Sequence, residues 1–168
     1  MKDDQTLKDF LYLPQWEQRI YSYTAAAFKD VLDDEGIPYF NAHLLPVVSM
    51  VKVLTDQPHV IQEAYGHDLV EDLHLTYSQL LEVFDERAVK LINELTHAGT
   101  KSTGYYFPNL KSRDAVMIKM CDRASNLSRM SAWPPSRQQS YIEASRFWKL
   151  FEDEPSLKSF TKQWKQKK

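Results

Sequence analysis

The chain has 168 residues, 43% hydrophobic and 26% charged, which is the profile of an ordinary globular domain long enough to bury a core. A formal net charge of −2 gives no electrostatic case for a nucleic-acid or membrane partner. The one cysteine, Cys121, excludes an internal disulfide, the polar start MKDDQTLKDF is unlike a signal peptide, and no apolar run approaches the roughly 18 residues of a membrane span, so a cytoplasmic location is expected.

Taken in chain order, the pattern is helical almost throughout. PQWEQRIYSYTAAAFKDVL opens on Pro14, acceptable at a first helical position, and stops before Gly36. HLLPVVSMVKVL is apolar at helical spacing. Pro46 lacks an N–H donor and belongs in a first turn, which places His43 near the helix start. The next helix carries EAYGHDLVEDLHLT, and Thr76 with Gln79 has the form of a capping box for YSQLLEVF. ERAVKLINELTH and RDAVMIKMCDRASNLSRM follow, separated by a loop with Gly99, Gly104 and Pro108. Pro134 and Pro135 open SRQQSYIEASRFWKLF, and a last short helix covers SLKSFTKQWKQKK, whose basic end reads as a solvated tail. With no alternating strand pattern and no Asn-Gly turn, the expectation is an all-α, compact single-domain helical bundle of roughly seven or eight helices.

The chemistry concentrates in residues 63 to 76. On a helix at about 100° per residue, Asp68 lies near 100°, Glu71 near 40° and Asp72 near 140° from His67, so all four share one side. Leu69, Val70 and Leu73 occupy the other side and can face the core. A lone His-Asp dipeptide carries little weight, and a surface acidic cluster explains it equally well. Two other segments shift the balance. His43 lies on an apolar helix, where a histidine needs a partner. Asp122 lies amid Ala115, Val116, Ile118 and Cys121, where a carboxylate needs compensation by an arginine, a helix end or a metal. One mononuclear site drawing His43, His67 with Asp68, and Asp122 from three helices answers these needs together. Two imidazoles and two carboxylates suit manganese, iron or zinc.

The order H…HD…D resembles the HD-domain metal phosphohydrolases, and more closely the hydrolase domain of RelA/SpoT-type enzymes and the small alarmone hydrolases. GIPYFNAHLLPVVSMV, AYGHDLVEDLHLTYSQLLEVFDERAVKLINELT, IKMCDRASNL and WPPSRQQSYIEASRFWKLF carry the likeness, which runs from about residue 20 to 155 of one domain spanning 1–168. The resemblance implies His43, His67, Asp68 and Asp122 as metal ligands, with manganese or another divalent ion such as iron or zinc. It implies Glu71 and Asp72 as the pair that handles the attacking water. It further implies Asn126, Arg137 and Tyr141 as substrate contacts, with Lys101 in a loop that often supplies a phosphate-binding lysine. The implied reaction is hydrolysis of the 3′-pyrophosphate of a guanosine or adenosine alarmone such as ppGpp, with release of pyrophosphate.

The likeness breaks in two places. Phe28 stands where the family carries a histidine, and Leu32, Asp33 and Asp34 replace a basic run whose arginine packs on guanine, so a cation–π contact to the base is lost. PYFNAHLL also has one residue more between Tyr39 and His43 than the family pattern. The alternatives are another HD phosphohydrolase acting on nucleotides or RNA ends, and a non-catalytic binding or antitoxin protein of the same fold. The intact Glu71, Asp72 and presumed ligands argue against the latter.

Overall fold

The structure is a computed structural model that describes residues 9–100 and 104–145. The chain divides into two compact units, residues 1–122 and 123–168.

In the first unit, helix α1 (Gln15–Ala27) buries Glu17, Ile20 and Thr24 along one face. It stops well short of Gly36. Phe28, fully buried, closes the last turn with its N–H on the Thr24 carbonyl. The chain then reverses through a bridge between Leu32 and Pro38. The Asp33 side chain organises this reversal, its Oδ1 accepting the N–H groups of Glu35 and Ile37 at 2.9 Å each, and Gly36 supplies φ 77°.

A π-helical turn, Phe40–Leu44, leads directly into α2 (Leu45–Leu54). Its widened bond runs from the Leu45 N–H to the Phe40 carbonyl. Pro46 has no N–H for the Ala42 carbonyl four residues back, and a wider turn eases the ring clash that an α-turn would impose. The residue in excess before His43 is taken up here.

Helix α3 (Pro58–Gly66) is enclosed by α1, α2 and a later helix, α6 (Glu86–Leu95), and every residue from Val60 to Leu69 is buried. The helix expected to carry the His-Asp cluster is two helices. α3 ends at Gly66, His67 and Asp68 form a turn, and α4 (Leu69–Leu73) ends on His74 in the left-handed conformation, φ 56°. α5 (Tyr77–Leu80) carries the expected Thr76–Gln79 capping box. α6 is capped by Asp85, whose side chain accepts the Ala88 N–H at 2.9 Å. Gln62 donates to that same carboxylate at 2.8 Å and accepts the Asp85 N–H at 2.9 Å, fastening α3 to α6.

The segment read as a plain loop contains a two-stranded antiparallel ribbon, β1 (Ala98–Thr100) and β2 (Gly104–Tyr106), with Ala98 opposite Tyr106. Strands of this length are too short to show alternation, and the all-α class is unaffected. Glu94 accepts the N–H groups of Lys111 and Ser112 at the approach to α7 (Arg113–Ser128). The core gathers Ile20, Phe28, Leu44, Val51, Leu69 and Ile92 with Ile118 of α7, each such burial contributing about 1.5–3 kcal/mol. Among the described residues no helix is long and apolar enough to cross a membrane.

In the second unit a 3-10 turn, Met130–Ala132, precedes α8 (Pro135–Ala144), which Pro134 and Pro135 open as expected. Trp133 is buried, with the Arg137 guanidinium 3.9 Å from its ring centre. Tyr141 meets Trp133 edge-on at 5.2 Å and carries Arg123 at 4.6 Å over its own ring. The expected last helix and Lys101 lie outside the described residues.

Candidate metal centre

Three elements bring four buried side chains to one point. His43 comes from the π-helical turn, His67 and Asp68 from the break between α3 and α4, and Asp122 from α7. His43 Nε2 lies 3.3 Å from His67 Nε2, 3.3 Å from Asp122 Oδ1 and 3.4 Å from Asp68 Oδ2. His67 Nε2 lies 3.2 Å from the same Asp68 oxygen. Ligand atoms about 2.1 Å from one ion, at right angles, stand about 3 Å apart, so these spacings suit a single divalent ion. His43, His67 and Asp122 alone could hold one.

The donor chemistry fits as well. His67 Nδ1 donates to the Ala64 carbonyl at 2.8 Å, an acceptor that fixes the tautomer and turns an Nε2 lone pair toward the cluster. Burial alone would lower the pKa of His67, but Asp68 and Asp122 outweigh it and push the value up to about 9. Asp68 and Asp122 are held well below the usual carboxylate range despite burial, Asp68 by His67 and His43, Asp122 by Lys119 first and then the two imidazoles. The pocket is thus built for positive charge, which a proton on His67 or a metal ion can supply.

Several contacts around this cluster have no counterpart in the sequence reading. Tyr39 donates its hydroxyl to Asp68 Oδ2 at 2.7 Å, and burial followed by the negative charge of Asp68 and Asp72 raises its pKa steeply. Lys119, itself buried, meets Asp122 Oδ2 at 2.7 Å and sits 4.4 Å over the Phe107 ring. It supplies the compensation that Asp122 was expected to find in an arginine, a helix end or a metal. Its i, i+3 spacing from Asp122 was the available signal. Phe28 is fully buried and cannot offer its ring to a base.

Glu71 and Asp72 follow on α4. Glu71 Oε1 accepts the His97 backbone N–H at 2.7 Å. Burial raises the Glu71 pKa, with Lys119 and the His97 N–H acting against it. Asp72 sits at the solvent edge, and burial of its inner side, with Asp68 and Glu71 beside it, pushes its pKa up to about 6. Burial drives the Cys121 thiol up to about 12, so it is no nucleophile. Asn126, Arg137 and Tyr141 belong to the second unit, where Asn126 accepts from Arg129 at 2.7 Å.

No family model matches the chain. It is 29% identical over 126 residues to a guanosine-3′,5′-bis(diphosphate) 3′-pyrophosphohydrolase, MESH1, of Danio rerio, covering 66% of this chain and 68% of that protein. It is 23% identical over 116 residues to a probable guanosine-3′,5′-bis(diphosphate) 3′-pyrophosphohydrolase of Synechocystis sp., covering 62% of this chain but only 15% of that protein. A solved structure of a metazoan ortholog of SpoT, described as hydrolyzing ppGpp with a role in starvation responses, superposes with a TM-score of 0.68 at 20% identity. That match covers 80% of this chain and 84% of the other, and it establishes the fold. In helical architecture and in the H…HD…D order the chain is similar to these SpoT-like hydrolases, with which it shares the fold.

Proposed function

We propose that the chain hydrolyses the 3′-pyrophosphate of a guanosine or adenosine alarmone such as ppGpp, releasing pyrophosphate and leaving a 3′-hydroxyl. The observation that carries this reading is the convergence of His43, His67, Asp68 and Asp122 beside Glu71 and Asp72. These four side chains are the proposed ligands of manganese, or of another divalent ion such as iron or zinc. Bound there, the ion would act as a Lewis acid and lower the pKa of water into the neutral range.

The chain's own residues divide the remaining work. Glu71, fixed by the His97 N–H, presents a carboxylate that orients the attacking water. Asp72, with its pKa at about 6, is near the working pH of a general base and accepts the proton as water attacks the 3′-phosphorus. The departing 3′-oxygen takes up a proton in turn. Lys119 neutralises Asp122 and keeps its other oxygen turned toward His43. Asn126, Arg137 and Tyr141 are proposed as substrate contacts on the motif match, as is Lys101. Residues 1–168 are proposed to act as one hydrolase domain in the cytoplasm.

A kinetic comparison of guanosine and adenosine 3′-pyrophosphates, with a plain 5′-nucleotide and a 3′-pyrophosphorylated RNA end as controls, tests the reading. Loss of the basic run costs about 0.5–2 kcal/mol of base stacking, so the two alarmones should differ by less than about tenfold in kcat/KM. Glu71→Ala and Asp72→Ala should each keep the ion and lower kcat by about 10²-fold or more. Faster cleavage of the plain nucleotide or the RNA end would replace this substrate assignment.

A further inference from the structure

We infer that His97 is a positioning residue that holds the Glu71 carboxylate in plane, an assignment that rests on the hydrolase reading above. Helix α6 ends at Thr96, whose N–H and hydroxyl both bond the Ile92 carbonyl, at 3.0 and 2.9 Å. Thr96 then turns to extended geometry, ψ 119°, so the next N–H has left the helix. That N–H, of His97, is the donor to Glu71 Oε1 at 2.7 Å. The imidazole of the same residue brings Nε2 to 3.5 Å from Glu71 Oε2.

One residue therefore addresses both oxygens of one carboxylate. The backbone donor alone leaves the terminal torsion of a glutamate free to swing, since that torsion is broad and roughly two-fold. A second group on the other oxygen removes the swing. At 3.5 Å the imidazole contact is longer than a hydrogen bond, the kind that tightens when substrate closes a site. The ring does not stand alone. It meets Phe107 edge-on, 6.4 Å between centres at 81°, and Phe107 is the ring over which Lys119 sits on its way to Asp122. His97 immediately precedes β1 and Phe107 immediately follows β2. The base of the ribbon thus joins Glu71 to the buried Lys119–Asp122 pair, and gives the short ribbon a purpose in the site.

Two variants separate positioning from packing. His97→Gln keeps an N–H donor within reach of Glu71, and His97→Leu keeps bulk without it. His97→Leu should lower kcat by about tenfold or more at nearly unchanged KM, while His97→Gln stays within about threefold, because only an interaction realised at the transition state is lost. Both should melt near the wild-type temperature. Independently of any substrate, the His97 Nε2 resonance should move in Glu71→Gln and stay in place in Glu86→Gln. An unmoved resonance overturns the contact. Equal losses in the two variants, or a change in KM alone, overturn the positioning role. A wild-type protein inactive on every 3′-pyrophosphate would instead count against the hydrolase reading, with the resonance still deciding the contact.

Discussion

Gly66 shows how a single atom governs the corner that presents His67. A Cβ added there would meet Ile92 Cδ1 at 2.8 Å and Phe84 Cε1 at 2.9 Å, closer than packed side chains tolerate. The next residue is His67, so any shift that relieves the overlap moves a proposed ligand. Gly66→Ala should destabilise the fold by about 1–3 kcal/mol, the range for overpacking a filled core, and weaken binding of the proposed divalent ion. A denaturant midpoint and a metal titration check both, and unchanged values for the two would show that the neighbours yield freely. At this scale the sequence was legible where residue type and spacing repeat a known order: His43, His67, Asp68 and Asp122 all arrive at one point. It was silent on Tyr39 and His97, because their partners lie 29 and 26 positions away and no local pattern marks them.

Elements were easier to place than their ends. Among the described residues each helical pattern has a helix under it, but tertiary packing and proline set the limits. α1 ends at Ala27 because Asp33 and Gly36 close a tight reversal that a longer helix would forbid. The additional residue in PYFNAHLL is accommodated by a π-turn, a local widening that helical periodicity does not anticipate. The His-Asp stretch breaks at Gly66 where one helix was expected, yet His67 and Asp68 keep helical backbone angles, so the face assigned to Glu71 and Asp72 persists. α3 itself depends on the Gln62–Asp85 exchange for its alignment with α6. Truncating Gln62 removes both of its hydrogen bonds to Asp85, worth about 0.5–1.5 kcal/mol each, so Gln62→Ala should cost about 1–3 kcal/mol. Asp85→Ala also removes the α6 cap, worth about 0.5–2 kcal/mol. Since both changes break one network, the double variant should lose less than the sum, by about 0.5 kcal/mol or more. Strict additivity in urea unfolding would mean that the two residues act apart.

The stability of the whole chain should carry a pH signature written by Glu63. This carboxyl lies fully buried on α3, and among the described residues neither of its oxygens has a hydrogen-bond partner. Burial first, and then the negative charges of Glu94 and Asp114, raise its pKa well above 4.5. The unfolded chain releases this proton at the ordinary value, whereas the folded chain retains it to higher pH. In the interval the folded state binds more protons than the unfolded one, so stability falls as pH rises and stays lowered above the folded pKa. Asp68 and Asp122 act with the opposite sign, their contribution being present above the ordinary carboxylate range and lost as pH falls through their depressed values. The two effects are separable by substitution. Glu63→Gln retains the shape but has no proton to lose, so its melting temperature should fall less than that of the wild type between pH 5 and 8. His67, raised from 6.5 to about 9, also loses its contribution as pH rises from its ordinary value, but equally in both proteins, so it cancels in the comparison. The variant should therefore gain on the wild type as pH rises through this interval. Parallel melting curves for the two proteins would show that Glu63 either ionises normally in the folded state or finds a partner there.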